Sequence, residues 1–384
     1  MLYILTDLKR NNNQWTYGII RAVEKEFTRR RIDFAKVSDI KGTIKRCAST
    51  GDIILIPTPI TSFALSVVDE CNQAGVQVIV PNGFLNIGER YRFHCVRGDF
   101  FSAVTNILHG FKRAGKSGIA LYGVNSNAQD DILLADAYLA QTGHSTDAVF
   151  YNDGSIHECF DAFFKNRHNF DAVICANDYV TLALIEKLKT LDPGYLEELF
   201  IVSFSNTLLS QFYNVPFTSL APDLDAVSCA VGDIYRIVKH YGYNRYCAVT
   251  IYVDYKIHER GLAQGYFQNG KPVYDSKAVF FPIVREFNEA TAFDVDPKIA
   301  RLQKIEIFLN KLTERQLTIL MLLLQGYSNS IISEKLCLSD ETVRYHMKKI
   351  RSLLGCSTKE ELYRQVRDIL EPKNIEKYLI NKSE

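Results

Sequence analysis

The segment Leu312 to Leu354, LTERQLTILMLLLQGYSNSIISEKLCLSDETVRYHMKKIRSLL, has the pattern of three short helices joined by tight turns. Thr313 and Gln316 have the spacing of a capping box, in which each side chain satisfies a free backbone N–H at the start of a helix. Two serines are placed to cap the second and third helices, Ser328 and Ser339. The order of helix, turn and helix predicts a small all-α domain here.

The third of these helices has an apolar side and a basic side. Its apolar residues recur at spacings of four, three and four, which predicts one stripe packed on the first two helices: Val343, Met347, Ile350 and Leu354. The opposite side carries Arg344, Lys348, Lys349 and Arg351. A helix divided in this way can lie in the major groove of B-form DNA, where base edges present distinguishable donors and acceptors and flanking cations neutralise phosphates.

These residues resemble the LuxR-type helix-turn-helix in five blocks: Leu312–Arg315, Gly326–Asn329, Ile332–Leu336, Ser339–His346 and Ile350–Gly355. The resemblance implies that the third helix enters DNA with Thr342, Val343, Arg344, His346 and Lys349, and the charge pattern adds Lys348. It also implies that Thr358–Leu370 forms a fourth helix that makes a dimer contact. The expected partners are therefore double-stranded DNA and a second copy of the chain, giving a homodimer.

Two residues depart from the LuxR-type pattern. Ser330 stands where a lysine is usual, and Lys349 where an asparagine is frequent. Both changes would affect phosphate contacts or the target sequence and leave the fold intact. The alternative to DNA binding is a small helical subdomain whose basic face is only solvated.

The composition is that of a globular protein with more than one domain. A chain of 384 residues suggests two or three domains, and 47% hydrophobic with 23% charged residues allows a sizeable core. The net charge of +1 gives no overall attraction to nucleic acid, so any DNA affinity must come from a local basic patch.

Cysteine usage and the first residues favour a cytoplasmic location. The nine cysteines form no C-x-x-C pair, which favours reduced, buried thiols over disulfides or a zinc site. The opening MLYILTDLKR lacks the features of a signal peptide and predicts a first strand. No uncharged stretch is long enough to suggest a membrane span.

Residues 2 to 260 alternate strand-like apolar runs with helix-length amphipathic segments, which implies parallel strands joined by crossover helices. The pattern begins at Leu2–Thr6 and restarts after Phe93, and two such sets suggest two lobes with a cleft between them. Ligands bind at the carboxyl ends of parallel strands, so the loops facing this cleft are the candidate effector site.

Three stretches in this region resemble the periplasmic-binding-protein-type effector domain of LacI-family regulators: Val96–Gly115, Ala172–Lys189 and Ile201–Leu220. The resemblance ends near Glu259–Gly261. It implies that the first lobe takes back a segment after the Thr218 region and that the second lobe takes the last strands, giving three crossovers and a hinge. It also implies a small-molecule effector, such as a sugar or another metabolite. LacI proteins carry their DNA-binding helices at the other end of the chain.

The resemblance and the loop positions nominate six effector-binding residues: Trp15, Tyr17, Asp130, Asn177, Asp178 and Asn206. Trp15, expected in the loop after the first strand, is suited to stacking on a sugar ring. The family's usual arginine before the helix at 130 to 142 is missing, and Ser203–Asn206 replaces its Gly-Phe-Asp.

Other readings of the nominated residues remain open. Asp178 could instead cap the helix beginning at Tyr179. Trp15 and Tyr17 could instead pack against the neighbouring lobe, because aromatic side chains bury large areas in most settings.

The residues between the two regions are less informative. Asn269-Gly270, flanked by Tyr266-Phe267 and Val273-Tyr274, predicts a hairpin. Asp296-Pro297 predicts the start of a helix with a broad apolar face. Such a helix suits a rigid coupler or a dimer contact, and packing back on the α/β domain explains the same residues.

The sequence therefore predicts an α/β two-lobed periplasmic-binding-protein-like domain (type 1), residues 1–261, followed by a linker, 262–311, and an all-α LuxR-type helix-turn-helix domain, 312–372. We find no Walker loop, G-x-S-x-G or H-E-x-x-H motif and expect neither an enzyme nor a cofactor or metal. The leading hypothesis is a one-component DNA-binding transcription regulator. One alternative is a lobe pair that only oligomerises and binds no ligand. The other is a phosphorylation-dependent response regulator, disfavoured by the length of the α/β region and by the lack of an acidic neighbour for Asp7.

Overall fold

The computed structural model describes residues 1–6, 14–58, 61–81, 92–143, 146–241, 248–267 and 296–383. The predicted hairpin around Asn269-Gly270 lies outside them. The strands are β1 Leu2–Leu5, β2 Phe34–Val37, β3 Ile53–Leu55, β4 Gln77–Pro81, β5 His94–Gly98, β6 Ile119–Val124, β7 Val149–Tyr151, β8 Ala172–Cys175, β9 Phe200–Phe204, β10 Thr218–Pro222, β11 Thr250–Val253 and β12 Tyr255–His258.

The helices of the α/β region are α1 Gln14–Arg30, α2 Ile40–Thr50, α3 Thr61–Ala74, α4 Phe100–Arg113, α5 Gln129–Thr142, α6 Ile156–Asn166, α7 Asp178–Leu191, α8 Pro193–Glu198, α9 Leu208–Phe212 and α10 Leu224–His240. The helices that follow are α11 Pro297–Lys311, α12 Glu314–Leu324, α13 Asn329–Lys335, α14 Asp340–Leu354, α15 Lys359–Val366 and α16 Pro372–Ser383.

Each lobe is built on a six-stranded sheet. In the first lobe the order is β11-β5-β4-β3-β1-β2, and every described pairing is parallel. In the second lobe the order is β12-β10-β9-β8-β6-β7, and only β12 runs antiparallel to its neighbour. Uninterrupted apolar runs such as β1 and β3 suit this arrangement, because a parallel strand covered by helices is buried on both faces.

The chain passes between the lobes three times. It leaves the first lobe at Asp99, returns to it at Asp223, and crosses again at Asp254 between β11 and β12. The side chains of Asp99 and Asp223 cap the helices that begin there, α4 and α10. Helix α10 and β11 belong to the first lobe and β12 to the second, which confirms the crossover pattern implied by the LacI resemblance.

The helix starts expected in the C-terminal region are confirmed. Thr313 and Gln316 form both bonds of a capping box at α12. Ser328 caps α13 and Ser339 caps α14. Asp296 caps α11, with a proline in its first turn. The fourth helix, α15, is shorter than expected and is followed by α16, which sequence reasoning did not predict.

One continuous apolar cluster joins the second lobe to the C-terminal helices. It includes fully buried residues of α9, α11, α12 and α16: Leu209, Phe212, Ile299, Leu320 and Ile375. Helix α11 packs on α7 and α9 of the second lobe and also on α14. Helix α11 therefore packs back on the α/β domain and also connects it to the helical domain, as expected of a coupler. Its use as a dimer contact stays a prediction.

The structure also corrects several sequence-based expectations. Helix α2 and strand β5 lie in segments to which no element was assigned. All eight cysteines in the described residues are free, and six are buried, but Cys337 is exposed and Cys229 half-buried.

No helix in the part of the chain that the structure describes is long and apolar enough to cross a membrane.

Candidate functional site

Helix α14 presents its basic side to solvent because its apolar side is held in the core. Met347, Ile350 and Leu354 are buried against the helical domain, as predicted. Val343 is also fully buried in this stripe, which corrects its assignment to the DNA-facing residues: its side chain fixes the helix and does not reach a partner. The apolar face of α14 therefore anchors the helix in the core, and the opposite face is exposed to solvent.

The start of α14 is fixed to the preceding helix. The Ser339 hydroxyl accepts a hydrogen bond from the Thr342 N–H (3.1 Å), and the two hydroxyls lie 2.8 Å apart. Asp340 accepts a hydrogen bond from the Ser333 hydroxyl of α13. The bond between Ser333 and Asp340 therefore connects α13 to the first turn of α14, where Thr342 is half-buried.

The exposed face of α14 carries cations without acidic partners. Arg344, Lys348 and Lys349 are exposed, and none of the three forms an ion pair within the described residues. An unpaired basic face on a nearly neutral chain is a local positive potential that attracts phosphate. We call these three residues the basic face.

Two aromatic residues flank the basic face. Tyr345 is 54% exposed, and the Lys349 ammonium lies 4.5 Å from the centroid of its ring. His346 is half-buried, and its Nδ1 has no hydrogen-bond partner within the described residues. The sequence places both residues on the basic side of the helix, but only His346 was nominated to contact DNA, although a large aromatic residue between an arginine and a lysine is itself a signal for a contact surface.

The second candidate site lies where strands of the second lobe end. Asn177 caps α7 by accepting a hydrogen bond from the Val180 N–H at 3.1 Å. Asp178 therefore does not cap this helix, which corrects the capping interpretation. Its carboxylate is fully buried and accepts from the Thr207 N–H (2.7 Å), the Thr207 hydroxyl (2.9 Å) and the Ser219 hydroxyl (2.7 Å). These internal bonds occupy the group that was nominated for a direct ligand contact.

Asn206 lies beside Asp178 in a strained loop. Ser205 and Asn206 have φ angles of 106° and 45°, conformations that L-residues rarely adopt. The Asn206 N–H donates to the Ser219 hydroxyl at 3.0 Å, and its side-chain oxygen accepts from the Arg260 guanidinium at 2.9 Å. Burial lowers the pKa of Arg260, and the nearby Asp178 opposes this effect. We call Asp178, Asn206, Ser219 and Arg260 the strand-end cluster.

The other nominated effector residues lie elsewhere. Trp15 belongs to the first turn of α1 and not to a loop, and its side chain lies outside the described residues. Tyr17 is exposed on the same helix of the first lobe. Asp130 is exposed in the first turn of α5, beside Asp131, whose buried carboxylate accepts from the Asn125 N–H at 2.9 Å. Burial raises the pKa of Asp131 to about 7.

A buried acidic residue connects α11 to the second lobe. Glu306 is 5% exposed, and its carboxylate accepts from the N–H groups of Leu208 (3.0 Å) and Leu209 (2.6 Å) at the start of α9. The Asn310 amide donates to the same carboxylate at 2.8 Å. Burial raises the pKa of Glu306. The sequence did contain a signal, because an acidic residue stood inside the predicted apolar face of this helix.

The far end of α9 is also tied to the helical domain. The Phe212 carbonyl accepts from the Glu371 N–H at 2.7 Å, and the Tyr213 carbonyl accepts from the Asn374 amide at 2.8 Å. The rings of Phe212 and Tyr378 pack edge to face, with centroids 5.2 Å apart. Both ends of this short helix thus contact residues that flank helices α12 to α15.

Known proteins match this chain both in sequence and in structure. Residues 310–366 match the family model described as bacterial regulatory proteins, luxR family. The transcriptional regulator CelR in its cellobiose complex superposes with a TM-score of 0.51 at 15% identity, over 67% of this chain and 83% of that one. The Lac repressor bound to ONPG in its repressed state superposes with a TM-score of 0.50 at 13% identity, over 67% and 80%. At these identities the similarity shows the fold alone.

A further match is to the HTH-type transcriptional repressor PurR of Vibrio vulnificus (strain CMCP6), 22% identical over 186 residues. The match covers 47% of this chain and 48% of PurR, so the chain spans about half the length of this relative. The fold class is thus a two-lobed α/β domain of the periplasmic-binding-protein-like type 1 class, followed by a LuxR-type helix-turn-helix domain. The matches to CelR and the Lac repressor are structural, whereas those to PurR and to the luxR family model are in sequence.

Proposed function

We propose that this protein is a one-component transcription regulator that binds double-stranded DNA as a homodimer through α14 and senses a small molecule with its α/β domain. The observation that carries the proposal is the exposed basic face of α14, free of acidic partners among the described residues, on a helix whose opposite side is buried. We further propose the domain boundaries 1–261, 262–311 and 312–372, a cytoplasmic location where DNA is accessible, and no enzymatic activity.

In the proposed DNA complex, α14 lies in the major groove. Arg344 is suited to reading a base, because a guanidinium can donate two hydrogen bonds to guanine. Lys348 and Lys349 are suited to phosphate contacts, which add affinity without sequence preference. A homodimer would recognise two half-sites on one face of the duplex, about one turn or a multiple of a turn apart.

The proposed effector is a small polar molecule bound near the strand-end cluster. The cluster offers amide, hydroxyl and guanidinium groups. Asp178 and Asn206 follow the carboxyl ends of the parallel strands β8 and β9, where this fold class binds ligands, and Ser219 lies inside the neighbouring strand β10. A sugar fits this chemistry, and CelR, a neighbour in fold, is named as a complex with cellobiose. The effector can act only through different affinities for two arrangements of the lobes and the helical domain.

A second candidate has a specific observation in its favour. The Asp178 carboxylate already accepts three hydrogen bonds from Thr207 and Ser219, and Asn206 is engaged with Arg260. A lobe pair with its polar groups satisfied internally could serve only to oligomerise the regulator. Titration of the protein with a panel of sugars by calorimetry separates the two, since heat of binding for any sugar supports sensing.

The test of the main proposal is selection of fragments of the source genome by the purified protein at moderate salt. An Arg344→Ala, Lys348→Ala variant is run beside it, with Lys41→Ala, Lys45→Ala as the matched control that removes two exposed positive charges from α2. We expect the wild type and the control to enrich paired sites and the first variant to lose them. Equal enrichment by all three proteins would contradict binding through α14.

A further inference from the structure

The turn Thr207–Leu209 is held by two buried carboxylates from opposite sides. Asp178 of α7 accepts from the Thr207 N–H at 2.7 Å and from its hydroxyl at 2.9 Å. Glu306 of α11 accepts from the N–H groups of Leu208 at 3.0 Å and Leu209 at 2.6 Å. Consecutive residues of one turn thus bind one acidic group of the α/β domain and one acidic group of the helix that leads to the DNA-binding domain.

Burial makes these contacts costly to break. Asp178 is fully buried and Glu306 is 5% exposed, so water cannot replace a lost donor at either carboxylate. A buried charged group that loses a hydrogen-bond partner incurs the cost of its desolvation. The turn therefore cannot move without either drawing both carboxylates with it or losing a buried hydrogen bond.

The same bonds continue into the strand-end cluster. The second carboxylate oxygen of Asp178 accepts from the Ser219 hydroxyl at 2.7 Å, and that hydroxyl accepts from the Asn206 N–H at 3.0 Å. Arg260 donates to the Asn206 side chain at 2.9 Å. Hydrogen bonds, together with the peptide backbone of Thr207–Leu209, thus link the proposed effector-binding groups to Glu306.

On the other side of Glu306 lies the DNA-binding domain. Helix α11 ends at Lys311, Thr313 caps α12 directly after it, and α11 packs on α14. The far end of α9 is tied to Glu371, directly before α16, by the Phe212 carbonyl, and to Tyr378 of α16 by the Phe212 ring. The Thr207–Leu209 turn is thus connected through one helix, α11, to α14, which carries the basic face.

We propose that Glu306 is the positioning residue that transmits the state of the strand-end cluster to the DNA-binding domain. When a small polar molecule rearranges Asn206 or Ser219, Asp178 moves the turn, and the turn moves α11 through Glu306. This inference rests on the proposed function for its biological meaning. The energetic coupling between Asp178 and Glu306 across the turn does not depend on DNA and can be measured without it.

The first experiment measures amide hydrogen exchange in the full-length protein, with mass-spectrometric fragmentation that separates the N–H groups of residues 207 to 209. Asp178→Asn and Glu306→Gln keep side-chain shape and remove charge. We expect Asp178→Asn to raise exchange at Leu208 and Leu209, and Glu306→Gln to raise exchange at Thr207, each by about tenfold or more, since charge-assisted hydrogen bonds are the strong ones. If each variant affects only its own bonded amides, the turn transmits nothing and the proposal fails.

The matched control is Glu26→Gln, which removes a comparably buried carboxylate, 6% exposed, from α1 of the first lobe. It should leave exchange at the Thr207–Leu209 turn unchanged, and an equal rise there would assign the effect to general loss of stability. Ser219→Ala provides a second variant on the effector side if Asp178→Asn does not fold. It removes one donor to Asp178, and we expect a smaller rise at Leu208 and Leu209.

The second experiment measures DNA affinity with a fragment enriched by the wild type. We expect Asp178→Asn to change the affinity at least about fivefold in the wild-type background and to have no further effect in Glu306→Gln, as residues of one network are non-additive. Additive effects would contradict transmission through Glu306. If the wild type enriches no fragment, the proposed function fails, and the exchange experiment still decides whether the two carboxylates are coupled.

Discussion

The ammonium of Lys349 lies 4.5 Å from the centroid of the Tyr345 ring, on the exposed side of α14. A cation above an aromatic ring is attracted by the negative face of the ring, which restricts the long lysine side chain before any partner arrives. The contact therefore prearranges one of the three cations of the basic face.

Replacement of Tyr345 with Ala should weaken binding to all DNA sequences by a similar factor. The free Lys349 side chain then loses more conformational entropy when it contacts a phosphate, at a cost of about 0.5–1 kcal/mol for an exposed pair of this kind. Fluorescence anisotropy with specific and unrelated duplexes measures the effect. Tyr345→Phe is the matched control and should bind as the wild type does, because the ring remains. Selective loss on the specific duplex would instead show that Tyr345 contacts a base.

Replacement of Arg344 with Ala should reduce affinity for the selected site by about 1–3 kcal/mol and relax the preference at one base position. The reason is loss of the planar group that can donate two hydrogen bonds to one base. Selection from a randomised duplex library reads the preference directly, with Lys41→Ala as the control for charge. An unchanged binding profile would remove Arg344 from the interface.

Replacement of Lys348 with Ala should weaken binding to specific and non-specific duplexes alike. Each phosphate contact releases about one counterion, so the slope of log K against log salt should become shallower by about 1. Affinities measured between low and moderate salt give this slope. A slope equal to that of the wild type would mean that Lys348 contacts no phosphate.

The local features of the helical domain could be predicted from the sequence because they depend on nearby residues. Thr313 and Gln316 satisfy each other's backbone groups within one turn, and the stripe that ends at Leu354 follows from helical periodicity alone. The α/β alternation was readable for the same reason. The helical spacing places Val343 in that buried stripe, and the DNA-facing position that the LuxR-type pattern implied for it is wrong.

The residues that join the domains could not be predicted, because their partners are distant in sequence. Asp178 is bound to Thr207 and Ser219, and Glu306 to the start of α9. The sequence marks Glu306 as an acidic residue inside an apolar helix face and Asp178 as a candidate effector contact, but the partner of neither carboxylate can be read from nearby residues. Helix α16 was missed because Ile375 is buried only by the packing of α16 on α12 and α9.

The final prediction concerns the pH dependence of stability. Burial raises the pKa of Asp131 from its usual 3.8 to about 7, against the hydrogen bond from Asn125 that lowers it. Below pH 3.8 the residue is protonated in the folded and unfolded chain alike. As the pH rises from there to about 7, the unfolded chain ionises while the folded chain keeps its proton, so the contribution of Asp131 to folding stability declines through this window.

Replacement of Asp131 with Asn should remove this decline, because the amide does not titrate and its oxygen can still accept from the Asn125 N–H. One pKa unit corresponds to about 1.4 kcal/mol, so the wild type should lose up to a few kcal/mol relative to the variant across the window. Urea unfolding at intervals from pH 4 to pH 8 measures the difference. Asp161→Asn, at an exposed position on α6 of the same lobe, is the control and should run parallel to the wild type. A wild-type curve that also runs parallel to Asp131→Asn would show that Asp131 ionises normally in the folded protein.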